Sequence, residues 1–293
     1  MSDSLQLAHL LERLVAADDP VPVIWNYLCE LWRPDEESGT AYFKQGEKRT
    51  MYLEKVLGTS YPELYGEILP DRCTRCNFDV DAVDVPVIWM DGLSLREALL
   101  LCRDLDAACD LSFAYSRLPS ETGFYKEAVF YPWDAKTVEL KDVDYLWLDG
   151  DERGVWCPIP DKELEDIKGR VKVRTQVDIY EKSLEVLLAI CGALYGDEFT
   201  VISDHGYIST ETHFLPLPRR WKGAMKNIFD GSRYAEAETK ADELIEAGYV
   251  VEHEGYHLVK NRYAWATRGK YKVMLHGGIS LLECLVPVLR VVF

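Results

Sequence analysis

Residues 198–207 read Glu-Phe-Thr-Val-Ile-Ser-Asp-His-Gly-Tyr, and this stretch decides the predicted fold. The apolar run Phe199–Ile202 predicts a buried strand. The run stops before Asp204 and His205, so a carboxylate and an imidazole follow the strand at its carboxyl end. Ligands of open α/β sheets bind at that edge, and Asp and His are ligands of zinc and manganese. An isolated pair of this kind can also simply begin a turn.

Composition indicates an ordinary globular chain. Its 293 residues are 48% hydrophobic and 28% charged, enough for one large α/β domain or one domain with a small appendage. No apolar run reaches the roughly 18 to 20 residues that span a bilayer. The first residues show no basic segment followed by an apolar one, so the predicted location is the cytoplasm.

The net charge of −17 disfavours a protein that coats nucleic acid non-specifically or binds an anionic membrane, because both surfaces attract positively charged proteins. An enzyme acting on phosphates remains compatible with it. Bound divalent ions could attract a phosphate, and so could a local basic cluster, which can equally be a solvated helix face. The cluster comprises Arg219, Arg220, Lys222 and Lys226.

Eight cysteines are scattered mostly singly along the chain, as small buried hydrophobic residues are. Only Cys73 and Cys76 have the spacing of metal ligands or of a redox pair. A structural zinc site normally needs a second pair, and no second pair lies at the usual distance.

Apolar patterning divides the chain into a helical N-terminal region, residues 1–82, and a region of alternating strands and helices, residues 83–293. Strands are predicted at 85–90, 110–115, 145–148, 171–177 and 199–202, with helices at 94–107 and 183–195. The alternation predicts an α/β fold with a mostly parallel sheet flanked by helices. Residues 209–270 are polar and charged, and they are predicted to be an insertion above the carboxyl edge of the sheet.

Three predicted strands end in a carboxylate, at Asp91, Asp178 and Asp204. In a parallel sheet these ends share one edge. A late His-Gly-Gly beginning at His276 could bring a second imidazole there. The chemistry that fits such a set is two metal ions with a hydroxyl nucleophile between them.

The chain resembles the PglZ domain, a branch of the alkaline phosphatase superfamily found in BREX phage-defence systems. The resemblance covers about residues 83–293 and rests on four motifs. They are Val-Ile-Trp-Met-Asp91-Gly, Leu118-Pro-Ser-Glu-Thr122, Val-Ile-Ser-Asp204-His205-Gly and His276-Gly-Gly-Ile-Ser-Leu-Leu-Glu-Cys-Leu-Val-Pro287-Val.

The resemblance implies an alkaline-phosphatase-like sheet and a site with one or two divalent ions, zinc or manganese. One ion would be bound by Asp91, Asp204 and His205 together with the Thr122 hydroxyl. Asp178 and His276 would bind the other ion. Thr122 would be the nucleophile and would form a phospho-threonine intermediate that water hydrolyses. From the residues alone, a threonine after Pro-Ser-Glu is by default a helix N-cap.

One position departs from the superfamily pattern, which places a histidine or an acid four residues after the carboxylate assigned here to Asp178. That position is Lys182, whose ammonium would repel a metal ion. Either Glu181 or a histidine replaces it as ligand, or the second site is weak, or Lys182 binds phosphate directly. The candidate histidines are His213, His253 and His257.

The predicted function is a metal-dependent phosphodiesterase or phosphatase, with nucleotides or oligonucleotides as plausible substrates. The charge disfavours long duplex DNA unless a partner protein delivers it. The alternative is a catalytically degenerate PglZ-like domain that acts as a binding or scaffold subunit in a phage-defence complex, and Lys182 favours it. A sulfatase relative is less supported, since the Cys-x-Pro-x-Arg element that sulfatases use is absent.

Overall fold

The computed structural model describes residues 3–34, 39–129, 135–138, 154–165, 175–194, 196–209, 213–265 and 274–293. Its α-helices in these ranges are α1 (Asp3–Ala16), α2 (Pro20–Leu31), α3 (Thr40–Ser60), α4 (Leu69–Arg75), α5 (Leu95–Asp104), α6 (Thr122–Val129), α7 (Asp161–Glu165), α8 (Gln176–Ala193), α9 (Arg219–Phe229), α10 (Asp242–Glu246) and α11 (Leu281–Cys284). A π-helical segment, Leu64–Ile68, leads into α4, and a 3₁₀ turn, Val80–Ala82, precedes the first strand.

The strands are β1 (Val87–Met90), β2 (Ala108–Tyr115), β3 (Lys136–Thr137), β4 (Gly154–Cys157), β5 (Glu198–Ile202), β6 (Ile208–Ser209), β7 (Leu215–Pro216), β8 (Tyr234–Glu236), β9 (Val250–His253), β10 (Tyr256–Val259), β11 (Tyr263–Ala264), β12 (Met274–Leu275) and β13 (Leu285–Val292).

The central sheet has six strands in the order β2-β13-β5-β1-β4-β3. β1 is parallel to β5 and β4, and β4 is parallel to β3. β13 is antiparallel to both of its neighbours, β2 and β5. Five strands therefore point the same way, and the predicted α/β class with a mostly parallel sheet flanked by helices is confirmed.

Both faces of the sheet are buried, as near-continuous apolar strands predict. Ile88 and Met90 of β1 join the main core, which also contains side chains of the N-terminal helices, α5 and α8. Val87 and Trp89 face the other side, where they pack in a second cluster with Tyr125 of α6. The N-terminal helices and the sheet therefore share one core. The proposed domain boundary at residue 83 stays a prediction.

Two predicted strands have a different outcome. Residues 145–148 and 171–174 lie outside the described residues. The prediction of a strand is wrong for residues 175–177. Thr175 is the N-cap of α8, and the helix runs from Gln176 to Ala193.

Residues 213–265, within the predicted insertion, contain a second sheet and a second group of helices. β8, β10 and β9 make an antiparallel sheet, and α9 and α10 pack with it around a separate apolar cluster that includes Leu217, Met225 and Leu244. No helix in the described part of the chain is both long and apolar enough to cross a bilayer.

A buried carboxylate in α3 predicts a pH-dependent stability. Glu54 is fully buried and accepts hydrogen bonds from the Tyr65 hydroxyl (2.9 Å) and the Leu281 backbone N–H (3.1 Å). Burial raises the pKa of this carboxyl from 4.5 to about 7. The folded chain then holds the proton to a higher pH than the unfolded chain, so stability falls as the pH rises through this window.

We therefore expect Glu54→Gln to gain on the order of 3 kcal/mol in free energy of unfolding relative to the wild type as the pH rises from about 4.5 to 7. Urea denaturation at several pH values measures this difference. Glu63→Gln, at an exposed position of the same region, is the control and should follow the wild type. Parallel curves for Glu54→Gln and the wild type would contradict the expectation.

Candidate metal-binding active site

The sheet topology brings four chain segments together at one edge. β1, β5 and β4 are parallel neighbours, and Asp91, Asp204 and Asp161 follow them at their carboxyl ends. β2 points the same way, and the loop after it leads to Thr122 at the start of α6. This is the edge at which open α/β sheets bind ligands.

Backbone hydrogen bonds lock these loops to one another. Asp91 N–H donates to the carbonyl of Cys157 (2.9 Å), and Asp161 N–H donates to the carbonyl of Asp91 (2.8 Å). Gly92 adopts a φ of +75°, a backbone conformation that residues with a side chain rarely adopt. Its N–H donates to Asp204 Oδ1 (3.0 Å). The three carboxylates therefore sit on loops that hold their mutual positions.

The Thr122 hydroxyl lies at the centre of the site. Its Oγ1 is 2.7 Å from Asp204 Oδ2, 3.0 Å from Asp91 Oδ1 and 3.3 Å from His205 Nε2. One hydroxyl has one proton, so it can donate to only one of the two carboxylates at a time. Two carboxylate oxygens and one hydroxyl oxygen therefore converge here, an arrangement that suits a cation.

Two imidazoles border the hydroxyl. His205 is fully buried, and its Nδ1 lies 3.0 Å from the carbonyl of Gly206, which favours the tautomer with the proton on Nδ1 and a lone pair on Nε2. The His276 ring stacks on it, with centroids 4.3 Å apart and planes 17° apart. His276 Nδ1 is 3.3 Å from the carbonyl of Ser120.

Asp161 faces His276. Its Oδ1 lies 3.6 Å from His276 Nε2, and it is a buried oxygen with no hydrogen-bond partner in the described residues. A buried carboxylate oxygen without a donor is costly. A cation between the two side chains would satisfy it.

Burial and crowding perturb the ionisation of these groups. Burial, followed by the charge of Asp204, raises the pKa of Asp91 well above its usual value. Burial disfavours the imidazolium of His205, but the nearby carboxylates outweigh it and raise the pKa to about 9. Burial and the neighbouring His205 lower the pKa of His276. Such perturbed groups in one place are typical of functional sites.

Two sets of donors could each hold a metal ion, and within each set the ligand atoms lie within 4.8 Å of one another. The first set is Asp91, Asp204 and His205, and the second is Asp161, His205 and His276. Mixed carboxylate and imidazole donors fit a divalent ion such as Zn²⁺ or Mn²⁺. The unpartnered Asp161 oxygen and the crowded Thr122 hydroxyl agree with that fit.

Asp178 lies elsewhere than the sequence analysis expected. It is exposed in the first turn of α8, where its carboxylate accepts hydrogen bonds from the Thr175 N–H (2.7 Å) and hydroxyl (3.0 Å). Thr175 in turn caps the helix, so the two residues form a capping box. The Thr-x-x-Asp spacing was a signal for a helix start, and the strand prediction overlooked it.

Asp161 is the carboxylate that sequence reasoning missed. The apolar run Val155–Cys157 before it is short, and it was not recognised as strand β4. Four residues after Asp161 the sequence has Glu165, an acid of the kind that the resemblance leads one to expect at that spacing.

Lys182 and Glu181 stay with α8. The Lys182 ammonium donates to Glu185 (2.8 Å), and Glu181 is exposed. Neither belongs to the two donor sets. The other ligand candidates from the sequence also lie outside both donor sets of the described residues. They are Cys73, Cys76, His213, His253 and His257.

The residues of the basic cluster are exposed on α9. Among the sequence's other candidate phosphate contacts, Arg262 is fully buried and pairs with Glu47, and Arg268 lies outside the described residues.

A family model matches residues 161–291, and its description is BREX system PglZ alkaline phosphatase-like domain. The PglZ resemblance is thereby confirmed for this part of the chain, which contains Asp161, Asp204, His205 and His276. The extension of the resemblance back to residue 83 rests on the sequence motifs. No curated protein matches the chain by sequence.

Solved structures similar to the chain include mouse ectonucleotide pyrophosphatase/phosphodiesterase 5, at 12% identity and a TM-score of 0.31. An inactive form of that protein in complex with AMP is similar at 11% identity and a TM-score of 0.26. Each similarity covers 52% of this chain and 52% of the other.

An experiment can decide whether Asp161 or Asp178 is the metal ligand. We expect Asp161→Asn to lower Zn²⁺ affinity at least about tenfold, because it removes a charged donor beside His276. Asp178→Asn should leave Zn²⁺ affinity unchanged and lower the free energy of unfolding by about 1 kcal/mol, because it weakens the capping box. Chelator competition and urea denaturation measure the two effects. A loss of Zn²⁺ affinity in Asp178→Asn, with unchanged affinity in Asp161→Asn, would instead identify Asp178 as the ligand.

Proposed function

We propose that this protein is a metal-dependent hydrolase of phosphate esters with Thr122 as its nucleophile. The observation that carries the proposal is the Thr122 hydroxyl, which lies 2.7 Å from Asp204 and 3.0 Å from Asp91 at the carboxyl edge of the sheet. A helix N-cap needs no pair of buried carboxylates around its hydroxyl. The match of residues 161–291 to an alkaline phosphatase-like domain supports the same chemistry.

In the proposed reaction, Thr122 Oγ1 attacks the phosphorus of the ester. Its bond to phosphorus forms as the bond to the leaving oxygen breaks, and the hydroxyl proton is transferred to that leaving oxygen, so that the alcohol departs neutral. Water then attacks the phosphorus of the phospho-threonine, and the bond between phosphorus and Thr122 Oγ1 breaks. One water proton returns to Oγ1, and the phosphoryl group leaves with the water oxygen.

Asp91, Asp204 and His205 would hold one ion, and Asp161 with His276 would hold the other. Positive charge from bound Zn²⁺ or Mn²⁺ would lower the pKa of the hydroxyl and neutralise the phosphoryl oxygens. The His205 contact to the Gly206 carbonyl keeps Nε2 available as a ligand.

The proposed substrates are phosphate monoesters or diesters, including nucleotides and oligonucleotides. The excess of acidic residues makes long duplex DNA a poor substrate without a delivering partner. Action in the cytoplasm, with protein partners from a defence system, belongs to the same proposal.

A catalytically degenerate binding or scaffold subunit is the second candidate. Its support in the sequence was Lys182, where a metal ligand was expected. Lys182 pairs with Glu185 on α8, and Asp161 supplies a carboxylate beside His276. With that support removed, the enzyme is the favoured candidate.

The test is hydrolysis of bis-p-nitrophenyl phosphate and p-nitrophenyl phosphate by metal-stripped protein refed with Zn²⁺ or Mn²⁺. We expect Thr122→Ala to lose activity by about 10³-fold or more, because it removes the hydroxyl on which the proposed covalent intermediate forms. Thr122→Ser should retain part of the activity. Thr59→Ala, on the exposed end of α3, is the control and should match the wild type.

Metal-dependent turnover that survives Thr122→Ala would exclude Thr122 as the nucleophile. Equal background rates in every protein would favour the binding subunit. The preferred ester separates a diesterase from a monoesterase.

A further inference from the structure

Glu283 contacts the chain next to both imidazoles. Its backbone carbonyl accepts the N–H of Gly206 (3.2 Å), the residue that follows His205. Its side-chain Oε1 accepts the N–H of Gly278 (2.9 Å), two residues after His276. Glu283 is fully buried in α11. A single residue therefore touches both histidine loops.

Neither loop has room to shift toward its neighbour. A Cβ on Gly206 would lie 1.9 Å from the carbonyl oxygen of Leu282. A Cβ on Gly278 would lie 2.6 Å from the carbonyl oxygen of Val259 and 2.7 Å from Nε of Arg233. All three distances are shorter than real Cβ contacts. The backbone at Gly206 is thus packed directly against the segment around Glu283, and the backbone at Gly278 is packed against β10 and Arg233.

Arg233, the residue before strand β8 of the insertion, donates two hydrogen bonds to the Glu283 carboxylate, Nε to Oε1 (2.8 Å) and Nη2 to Oε2 (3.0 Å). Nη1 donates to the carbonyl of Tyr263 (2.6 Å), and Nη2 also lies 2.5 Å from the carbonyl of Asn261 and 3.2 Å from that of Val259. Both charged side chains are fully buried. The guanidinium is therefore held from several sides and fixes the plane of the carboxylate.

A buried ion pair is a poor source of stability, because desolvation offsets most of its attraction and a packed apolar pair is often as stable. What the pair provides is orientation. We propose that Glu283 is a positioning residue for His205 and His276, and that Arg233 of the insertion holds its carboxylate in place. This inference builds on the metal site proposed above, and it makes the insertion a determinant of that site's geometry.

Two single variants and one double variant test the proposal. Glu283→Gln keeps an acceptor for the Gly278 N–H but loses the charge that pairs with Arg233. Arg233→Lys keeps the charge but loses the two-pronged contact. The double variant Arg233→Met/Glu283→Met removes both charges and avoids a lone buried ion. Leu244→Ala, in the insertion's apolar cluster, is the control for general destabilisation.

Zn²⁺ affinity by chelator competition, thermal unfolding and a crystal structure of each protein are the measurements. We expect the three pair variants to lose at least about tenfold in Zn²⁺ affinity while folded. We also expect the two imidazole centroids to move apart from the 4.3 Å of the wild type. Leu244→Ala should lower the Tm without either change.

A folded double variant with wild-type Zn²⁺ affinity and unmoved imidazoles would overturn the proposal. If the double variant does not fold, Arg233→Lys takes its place, and wild-type Zn²⁺ affinity with unmoved imidazoles in that variant would overturn the proposal. If the wild type binds no Zn²⁺ and hydrolyses no ester, the proposed function fails, and the imidazole positions in the crystal structures still decide the role of Glu283.

Discussion

The crowding of buried carboxylates around one hydroxyl is the constraint on which the site depends. Asp91 and Asp204 both approach Thr122 Oγ1, and Asp161 lies close to both imidazoles. Like charges held together away from water repel one another, and burial strengthens that repulsion. The arrangement is stable only if protons or cations neutralise it. Consistent with this, burial and the charge of Asp204 raise the pKa of Asp91, and the nearby carboxylates raise the pKa of His205.

The surrounding structure opposes that repulsion with rigid backbone contacts. The loops after β1, β4 and β5 hydrogen-bond to one another, so the carboxylates cannot relax by moving apart. The segment around Glu283 packs against both histidine loops, and the insertion reaches that segment through Arg233. Preorganisation of this kind lets a site bind a charged ligand without rearrangement.

Much of the sheet and of the site could be predicted from the sequence. β1 and β5 end where their apolar runs end, and the residues after them, Asp91 and Asp204, lie at one edge as parallel strands require. Asp178 was misplaced because a capping box and the end of a strand can both precede an apolar segment. Asp161 was missed because β4 has only a short run, which periodicity does not separate from a loop. The role of Thr122 came from the family resemblance, and periodicity alone treats it as a helix cap.

The sequence by itself determined the class of fold and the residue types that reach the carboxyl edge, because strand patterning and the direction of a parallel sheet follow from local composition. Only the tertiary structure decided which carboxylate faces His276 and that the His205 and His276 rings stack. It also decided that Glu283 joins their loops. These are contacts between residues far apart in the chain, and their distances depend on how the loops and the insertion pack, which no local pattern records.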